Sequence, residues 1–145
     1  MIALGSDHGG YDLKMVIIGH LKKRGLAYRD YGCLEKKSCD YPDFGRAVAL
    51  AVKSGECDKG ILVCTTGIGI SMAANRHSGI RCALCTDPYM AKKTREHNDA
   101  NILALGGGLT GDQLAVEIVD VFLDTPFSAQ EKHQRRVDGI DAITM

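Results

Sequence analysis

Short apolar runs alternate along the whole chain with longer segments whose apolar residues recur at helical spacing. Residues 60–64 are almost wholly apolar, which is typical of a parallel strand buried on both faces. The segment 11–24 places Leu13, Ile17 and Leu21 on one helical face. The pattern predicts strands at residues 2–6, 26–31, 60–64, 80–86 and 101–105. It predicts helices at residues 11–24, 42–54, 66–76, 88–97, 111–123 and 128–143.

Regular alternation of strands and helices is typical of a parallel sheet that is covered by helices on both faces. We therefore expect a doubly wound, three-layer α/β/α domain of Rossmann-like type, with a five-stranded parallel sheet and right-handed crossovers. A chain of 145 residues can bury one core, so residues 1–145 are expected to form a single domain. Ligands bind such sheets at the carboxyl ends of the strands, where the winding reverses. If the first strand lies between the second and the third, residues 6–10 and 64–69 lie side by side there.

Composition narrows the classes of partner. Apolar residues make up 45% of the chain and charged residues 25%, as in ordinary globular proteins. Lys plus Arg and Asp plus Glu each number 18, so the formal net charge is zero and no nucleic-acid or anionic membrane partner is expected. The N-terminal sequence has no signal-peptide pattern, and no apolar run is long enough to span a bilayer, so we expect a cytoplasmic location.

The six cysteines raise the question of a metal or redox site. Cys82 and Cys85 form a CxxC motif, but they lie in a predicted strand. Side chains three positions apart in a strand face opposite sides of the sheet, so these two thiols cannot hold one metal ion. We expect no metal site, and we expect the thiols near turns to be buried or incidental; these are Cys33, Cys39 and Cys57.

The segment after the third predicted strand combines a thiol with two glycines. Gly67 and Gly69 allow backbone amides to approach a ligand at the start of a helix, whose dipole favours an anion. A tight turn whose glycines serve packing alone fits equally well, because short glycine motifs are weak signals. Cys64 favours the anion site, since a helix N-terminus stabilises a thiolate that can act as a base. A packed core cysteine is the alternative interpretation.

Three further polar groups could join this site; they are residues 7–8, 95–99 and 132–136. The first group consists of Asp7 and His8, and an acid next to a histidine often occurs by chance. In the last group Lys132 and Arg136 are four positions apart on one helical face, where they could clamp a phosphate, and His133 lies alongside. A solvated helical surface is the other interpretation of such a charge run.

Six short motifs follow one another along the chain, at residues 5–10, 40–42, 64–76, 79–81, 97–101 and 133–136. Together they resemble the type B ribose-5-phosphate isomerases and their galactose-6-phosphate and allose-6-phosphate relatives. The resemblance covers essentially the whole chain, with the motifs in the same order. It implies that an aldose phosphate and its ketose phosphate are interconverted through an enediolate, with no cofactor and no metal. The leading hypothesis is interconversion of D-ribose 5-phosphate and D-ribulose 5-phosphate, a reaction of the pentose phosphate pathway.

The resemblance also implies roles for individual residues. Cys64 would move the proton between two sugar carbons, while Thr66 and His97 would open the cyclic sugar. Asn98 and four backbone amides would stabilise the enediolate oxygen; the amides are those of Gly67, Ile68, Gly69 and Ile70. The substrate-binding residues would be Asp7 and Tyr41 for the sugar hydroxyls, and His8, Lys132, His133 and Arg136 for the phosphate.

In the resembling family the active site lies between two subunits, and the partner supplies the residue that matches His97. The resemblance therefore implies a homodimer or a tetramer in which the active site is shared. Three residues depart from the family pattern, namely Thr65, Gly108 and Lys132. Where the chain has Gly108 and Lys132, arginines are common, so phosphate affinity could be weaker.

These departures keep other functions open. The chain could isomerise a six-carbon sugar phosphate, such as allose 6-phosphate or galactose 6-phosphate. It could instead be a phosphosugar-binding module without catalysis, although Cys64, Asp7, Thr66 and His97 are all present. A thiol redox protein is a third alternative, which lacks a resolving cysteine close in sequence to Cys64.

Overall fold

The computed structural model describes residues 1–142. Its strands are β1 (Ile2–Ser6), β2 (Tyr28–Asp30), β3 (Lys59–Cys64), β4 (Cys82–Leu84) and β5 (Ile102–Gly106). Its helices are α1 (Tyr11–Lys23), α2 (Tyr41–Lys53), α3 (Ile68–Asn75), α4 (Pro88–Asn98), α5 (Asp112–Asp124) and α6 (Glu131–Asp141). Each of these elements overlaps a predicted one, and the strands form one parallel sheet.

Two apolar clusters cover the two faces of the sheet. Successive residues of the central strand β3 alternate between them, since Ile61 packs with α1 and α5 whereas Leu62 packs with α2 and α3. Both residues are fully buried. The three-layer α/β/α architecture predicted from the sequence is thereby confirmed, and the apolar character of residues 60–64 follows from burial on both faces.

The strand order is β2-β1-β3-β5-β4, so β1 lies between β2 and β3 as the site prediction required. In the β1–β3 register Ser6 pairs with Val63, which sets the loops after these two strands side by side. The position of β5 was not predicted. It lies directly beside β3, with Gly106 opposite Cys64, so a third loop joins the same edge.

The edge strands are shorter than predicted. β2 covers Tyr28–Asp30 rather than residues 26–31, and β4 covers Cys82–Leu84 rather than residues 80–86. Each edge strand pairs with one neighbour only, which shortens the ladder of hydrogen bonds. The pattern of apolar residues in the sequence does not indicate where this hydrogen bonding ends.

Two helix starts also differ from the predictions. α3 begins at Ile68 and not at residue 66, because Gly67 has a left-handed backbone (φ 79°) that cannot continue a helix. α6 begins at Glu131 and not at residue 128, since Ala129 has a positive φ of 56°. The predicted end of this last helix, at residue 143, lies outside the described residues.

The cysteine positions agree with the strand geometry predicted for the CxxC motif. Cys82 packs with the cluster on the α2 and α3 side, whereas Cys85 packs with the cluster on the opposite face. Burial raises the pKa of the Cys85 thiol to about 12 and also raises that of Cys82, so neither thiol is activated. All six cysteines are free thiols, and among residues 1–142 no three His, Cys, Asp or Glu side chains converge as a metal site would require.

No helix formed by residues 1–142 combines the length and the apolar character needed to cross a lipid bilayer.

Candidate active site

Cys64 ends β3 and is held by the turn that leads into α3. Its side chain is buried, and its Sγ accepts a hydrogen bond of 3.1 Å from the backbone N–H of Gly67. A Cβ on Gly67 would lie 2.6 Å from the Leu84 side chain and 2.8 Å from the backbone carbon of Leu105. The turn therefore requires glycine for its space as well as for its positive φ. It places the sulfur at the N-terminus of a helix, where negative charge is favoured.

The first turn of α3 presents backbone N–H groups beside this thiol. Ser71 is the first residue whose N–H bonds back along the turn, to the carbonyl of Gly67 at 3.3 Å. The N–H groups of Ile68, Gly69 and Ile70 precede it and so lie outside the helical ladder. Thr66 Oγ1 accepts the one from Ile68 at 3.2 Å. The remaining amides can bind a negatively charged oxygen, which is the first of the two interpretations of the glycine motif.

Tyr41, the first residue of α2, packs directly on this turn. A Cβ on Gly69 would lie 2.7 Å from two ring carbons of Tyr41, so the ring covers the space that glycine leaves empty. Tyr41 is 40% exposed at this edge. The contact explains why glycine follows Ile68 in this motif.

The loop after β1 supplies the acid and the histidine predicted there. Asp7 is buried, and its Oδ1 accepts a hydrogen bond of 3.1 Å from the N–H of Gly10. His8 is exposed, and its Nδ1 accepts a hydrogen bond of 3.2 Å from the N–H of Cys39. A Cβ on Gly9 would lie 2.1 Å from Thr65 Oγ1, so this loop is in close contact with the one that follows Cys64.

The loop after β5 also lies at this edge, as the resemblance implied for position 108, although the strand pattern did not place β5 beside β3. Gly107 donates its N–H to the carbonyl of Cys64 at 2.8 Å, and Gly108 donates to that of Thr65 at 2.9 Å. A Cβ on Gly108 would lie 3.0 Å from Thr65 Cγ2. Thr65 and Gly108, two of the three residues that depart from the family pattern, are thus in contact. The methyl of Thr65 takes up space that a side chain at position 108 would need. The sequence feature that could have indicated this close approach of two loops is the run of three glycines at residues 106–108.

A second group of polar residues surrounds the end of α4. The rings of His97 and His133 lie 4.3 Å apart between centroids, with an angle of 31° between their planes. His133 is buried, and its Nδ1 lies 2.6 Å from Ser128 Oγ. Its pKa is lowered by burial and further by the neighbouring His97, Lys132 and Arg136. Lys132 and Arg136 are exposed on α6 next to this pair of rings.

Comparison with known proteins identifies the family. Residues 2–140 match the family described as Ribose/Galactose Isomerase. The chain belongs to the ribose/galactose isomerase family. It is 47% identical to ribose-5-phosphate isomerase B of Escherichia coli, over 98% of this chain and 95% of that protein. The galactose-6-phosphate isomerase subunit LacB of Clostridium acetobutylicum is 41% identical, over 99% of this chain and 83% of that protein. The solved structure of Clostridium thermocellum ribose-5-phosphate isomerase B is 56% identical with a TM-score of 0.95, over 97% of this chain and 94% of that chain.

In this member of the ribose/galactose isomerase family the predicted site residues form two separate clusters. The first, which we call the thiol cluster, lies at the carboxyl edge of the sheet and consists of Asp7, His8, Tyr41, Cys64, Thr66, Gly67, Ile68, Gly69 and Ile70. The second, which we call the histidine cluster, consists of His97, Asn98, Lys132, His133 and Arg136.

The two clusters of this family member lie at opposite edges of the sheet. His97 and Asn98 precede the start of β5, where Ile102 pairs with Gly60, whereas Cys64 pairs with Gly106 at the other end of the same two strands. Four residue steps of strand separate these levels, or roughly 13 Å. One chain therefore brings each cluster together but not the two clusters with each other. Sequence reasoning also missed Arg81, which contacts the second cluster and was noted only as part of a motif.

Proposed function

We propose that this chain interconverts D-ribose 5-phosphate and D-ribulose 5-phosphate by proton transfer through an enediolate. We infer that residues 1–145 act as one isomerase domain. The observation that carries the proposal is Cys64, whose sulfur receives a hydrogen bond from Gly67 beside the amides that begin α3. A base next to an oxyanion-binding turn is what an enediolate mechanism requires. Relatives named ribose-5-phosphate isomerase B, at 47% and 56% identity over nearly the whole chain, support the choice of substrate.

The proposed chemistry moves one carbon-bound proton. As a thiolate, Cys64 removes the proton from C2 of the open-chain aldose, and the electron pair forms the C1–C2 double bond as negative charge moves to O1. The N–H groups of Gly69 and Ile70 in the first turn of α3 stabilise this charge, since the N–H groups of Gly67 and Ile68 are bound by Cys64 and Thr66. The Cys64 thiol then returns the proton to C1, and the proton of the C2 hydroxyl passes to O1. The ketose results and the thiolate is restored, so the step needs no metal or cofactor.

Ring opening and substrate binding use the remaining residues. We assign opening of the cyclic sugar to Thr66 and His97, while Asp7 and Tyr41 hold the sugar hydroxyls. Asn98 assists the amides at the enediolate. The phosphate is assigned to four residues with donor groups, namely His8, Lys132, His133 and Arg136. Lys132 binds phosphate as a point charge, whereas an arginine would form a bidentate contact. Phosphate affinity is therefore expected to come from the four residues together and not from one of them.

We further propose a homodimer, alone or within a tetramer, in which the thiol cluster of one subunit meets the histidine cluster of its partner. The separation of the clusters within one chain supports this arrangement, because His97 cannot reach a sugar held at Cys64 of its own subunit. Exposed apolar side chains at the carboxyl edge also support an interface there. They follow the strand ends and are Ile68, Met72, Tyr89, Met90 and Leu109. Free thiols support a cytoplasmic location, since reducing compartments preserve them.

The decisive experiment compares the parent protein with Cys64→Ala, with ribulose 5-phosphate detected directly. We expect turnover by the parent and a loss of at least about a hundredfold in the variant, because a general base contributes that much or more. In D₂O the parent should incorporate solvent deuterium at C1 of the product to the extent that the Cys64 thiol exchanges its proton with solvent before it protonates C1. Cys85→Ala is the matched control, since that thiol is buried on the far side of the sheet and should leave turnover unchanged.

Each alternative predicts a different result. Turnover of allose 6-phosphate or galactose 6-phosphate without turnover of ribose 5-phosphate would overturn the proposed substrate. Binding of these sugars by a folded parent without turnover of any would indicate a non-catalytic module. Full activity of Cys64→Ala would remove Cys64 from the proposed role.

A further inference from the structure

Arg81, the residue before β4, joins two elements of the histidine cluster through one guanidinium group. Its side chain is only 14% exposed. Nε donates to the backbone carbonyls of Asn98 at 3.2 Å and of Asp99 at 3.1 Å, where α4 ends. Nη1 donates to both carboxylate oxygens of Asp141 at 2.9 and 2.8 Å, where α6 ends. Arg81 therefore connects the ends of α4 and α6 directly.

The end of α4 is fixed more firmly than an ordinary helix terminus. Asp99 adopts a left-handed backbone (φ 46°) that closes the helix. Its carboxylate accepts a hydrogen bond of 2.8 Å from Arg95 Nη1 and lies 3.6 Å from Arg81 Nη2. Arg95 is buried and also donates to the carbonyl of Ala100 at 2.7 Å. The backbone on which His97 and Asn98 stand is thus anchored, and Arg81 extends this anchor to α6.

The helix α6 is attached near both of its ends. At the N-terminal end His133 stacks on His97 and lies against Ser128. At the C-terminal end the attachment runs through Asp141 to Arg81. Arg136 lies between these two points, and the helix measures about 16 Å by its rise per residue. Val137, between these points, is buried at 3% exposure and also holds the helix. Without the second attachment the C-terminal turn beyond Val137 would be less firmly held, and the direction of the exposed cations on the helix would be less well defined.

We propose that Arg81 is a positioning residue of the isomerase site. It fixes the direction of α6 relative to the end of α4, so that Lys132 and Arg136 present their charges to the phosphate in register with His97. This inference rests on the proposed function. An arginine is required because two groups must be held at once by separate nitrogens of one rigid plane, which a lysine cannot do.

The test compares Asp141→Asn with Glu131→Gln. Both variants remove one negative charge from α6. Only the first removes the ion pair with Arg81 and one of its two acceptor oxygens, whereas the second weakens in the same way the pair within the helix between Glu131 and Arg135. For Asp141→Asn we expect the KM for ribose 5-phosphate and the inhibition constant of inorganic phosphate to rise roughly five- to tenfold, with kcat within about twofold of the parent. Glu131→Gln should match the parent in all three quantities.

Arg81→Lys extends the comparison to the other end of the connection. This variant also releases the carbonyls of Asn98 and Asp99, so kcat should fall together with phosphate affinity. Unchanged KM and phosphate inhibition in both Arg81→Lys and Asp141→Asn, alongside a lower melting temperature, would show that Arg81 only stabilises the fold. Equal effects of Asp141→Asn and Glu131→Gln would show that the charge of α6 matters and its direction does not. Either result would overturn the inference.

The positioning role of Arg81 can be tested even if the proposed isomerase activity is wrong. If the folded parent does not isomerise ribose 5-phosphate, binding of inorganic phosphate is followed instead through the NMR signals of the His133 ring. Weaker phosphate binding in Asp141→Asn than in Glu131→Gln would then still support the positioning role. Equal binding in the two variants, or no binding by the parent, would overturn it.

Discussion

At the scale of single residues, Thr65 and Gly108 are the most informative pair in the thiol cluster. A Cβ at position 108 would lie 3.0 Å from Thr65 Cγ2 and 3.1 Å from the Thr65 carbonyl oxygen. Both distances are shorter than ordinary van der Waals contacts, so a Cβ at position 108 would force Thr65 to shift by a few tenths of an ångström. The Thr65 carbonyl is bound to the N–H of Gly108 and cannot easily move, so only the Thr65 side chain can make room for the added carbon.

We therefore predict that the two positions are energetically coupled. Gly108→Ala should lower the free energy of unfolding by about 1–2 kcal/mol through overpacking. In a Thr65→Gly background the same change should cost less, with a coupling energy of at least about 0.5 kcal/mol. Urea denaturation of the four proteins of this double-mutant cycle measures the coupling. Additive effects of the two substitutions would contradict the contact.

The buried histidine His133 makes stability depend on pH. Burial, and then the nearby His97, Lys132 and Arg136, hold its pKa below the ordinary value. The unfolded chain therefore takes up a proton near pH 6.5 while the folded chain still resists it. The free energy of unfolding is accordingly highest above this pH and decreases as the pH falls from about 6.5 to the lowered pKa of the folded state.

His133→Gln should weaken this dependence. We expect the urea midpoint of the parent to fall more between about pH 7.5 and pH 5.5 than that of the variant, because glutamine takes up no proton in this range. His77 has a pKa that burial lowers as well, so part of the slope should persist in His133→Gln and decrease further when His77→Gln is added. Equal slopes in the parent and in His133→Gln would contradict the assignment.

At the scale of elements, the turn between β3 and α3 depends on Gly67 for two separable reasons. Its φ of 79° is costly for any residue with a side chain, and a Cβ there would also meet Leu84 and the backbone of Leu105. Gly55 offers a matched comparison, since its φ is 82° but no atom lies within 4 Å of a Cβ built on it.

Replacing Gly67 and Gly55 by alanine should separate the cost of backbone strain from the cost of steric overlap in the free energy of unfolding. Gly55→Ala should cost about 1–2 kcal/mol, the ordinary penalty of a left-handed backbone. Gly67→Ala should cost at least about 2 kcal/mol more, because a backbone atom close by cannot rotate away. Denaturation of both variants gives the difference. A similar cost at both positions would mean that the turn relaxes and that Gly67 serves backbone conformation alone.

The elements also show how far the amino-acid sequence determines what can be predicted. The central strands β1, β3 and β5 were predicted nearly to the residue because burial on both faces leaves polar side chains only at their ends, namely Ser6 in β1 and Lys59 in β3. The edge strands were predicted too long, since their ends lose partners without any change in apolar character. The position of β5 between β3 and β4 could not be predicted, because fully buried parallel strands have similar apolar sequences that do not indicate their order in the sheet.

The same distinction applies to the candidate site. The contact of Cys64 with Gly67 is local, and the order of strand, thiol, glycine and helix was enough to predict a thiol at a helix N-terminus, although not its hydrogen bond to Gly67. The packing of Tyr41 on Gly69 and the approach of Gly108 to Thr65 join segments far apart in the chain, and only the strand order creates them. The resemblance to known isomerases grouped such residues, but no single segment could have done so.

At the scale of the whole molecule, the opposite placement of the two clusters follows from the parallel sheet itself. Each crossover helix returns the chain from the carboxyl edge to the amino edge, so residues at the C-terminal end of α4 must lie away from the strand ends that hold Cys64. A second subunit that faces the carboxyl edge can bring its own histidine cluster to that thiol. The fold thus separates the two clusters within one chain, and the proposed dimer is the arrangement that would join them.

A shared site predicts that two inactive variants restore activity when their subunits are mixed. Cys64→Ala has an intact histidine cluster and His97→Gln has an intact thiol cluster, so a heterodimer of the two contains one complete site and one that lacks both residues. Random reassociation after co-refolding should give heterodimers as half of the dimers, and hence about a quarter of the parent's activity. Each variant refolded alone is the control and should stay near background, while sedimentation verifies that the mixture is dimeric or larger. If refolded mixtures of verified oligomers stay as inactive as the separate variants, His97 does not act across the interface, and the proposed sharing of the site is wrong.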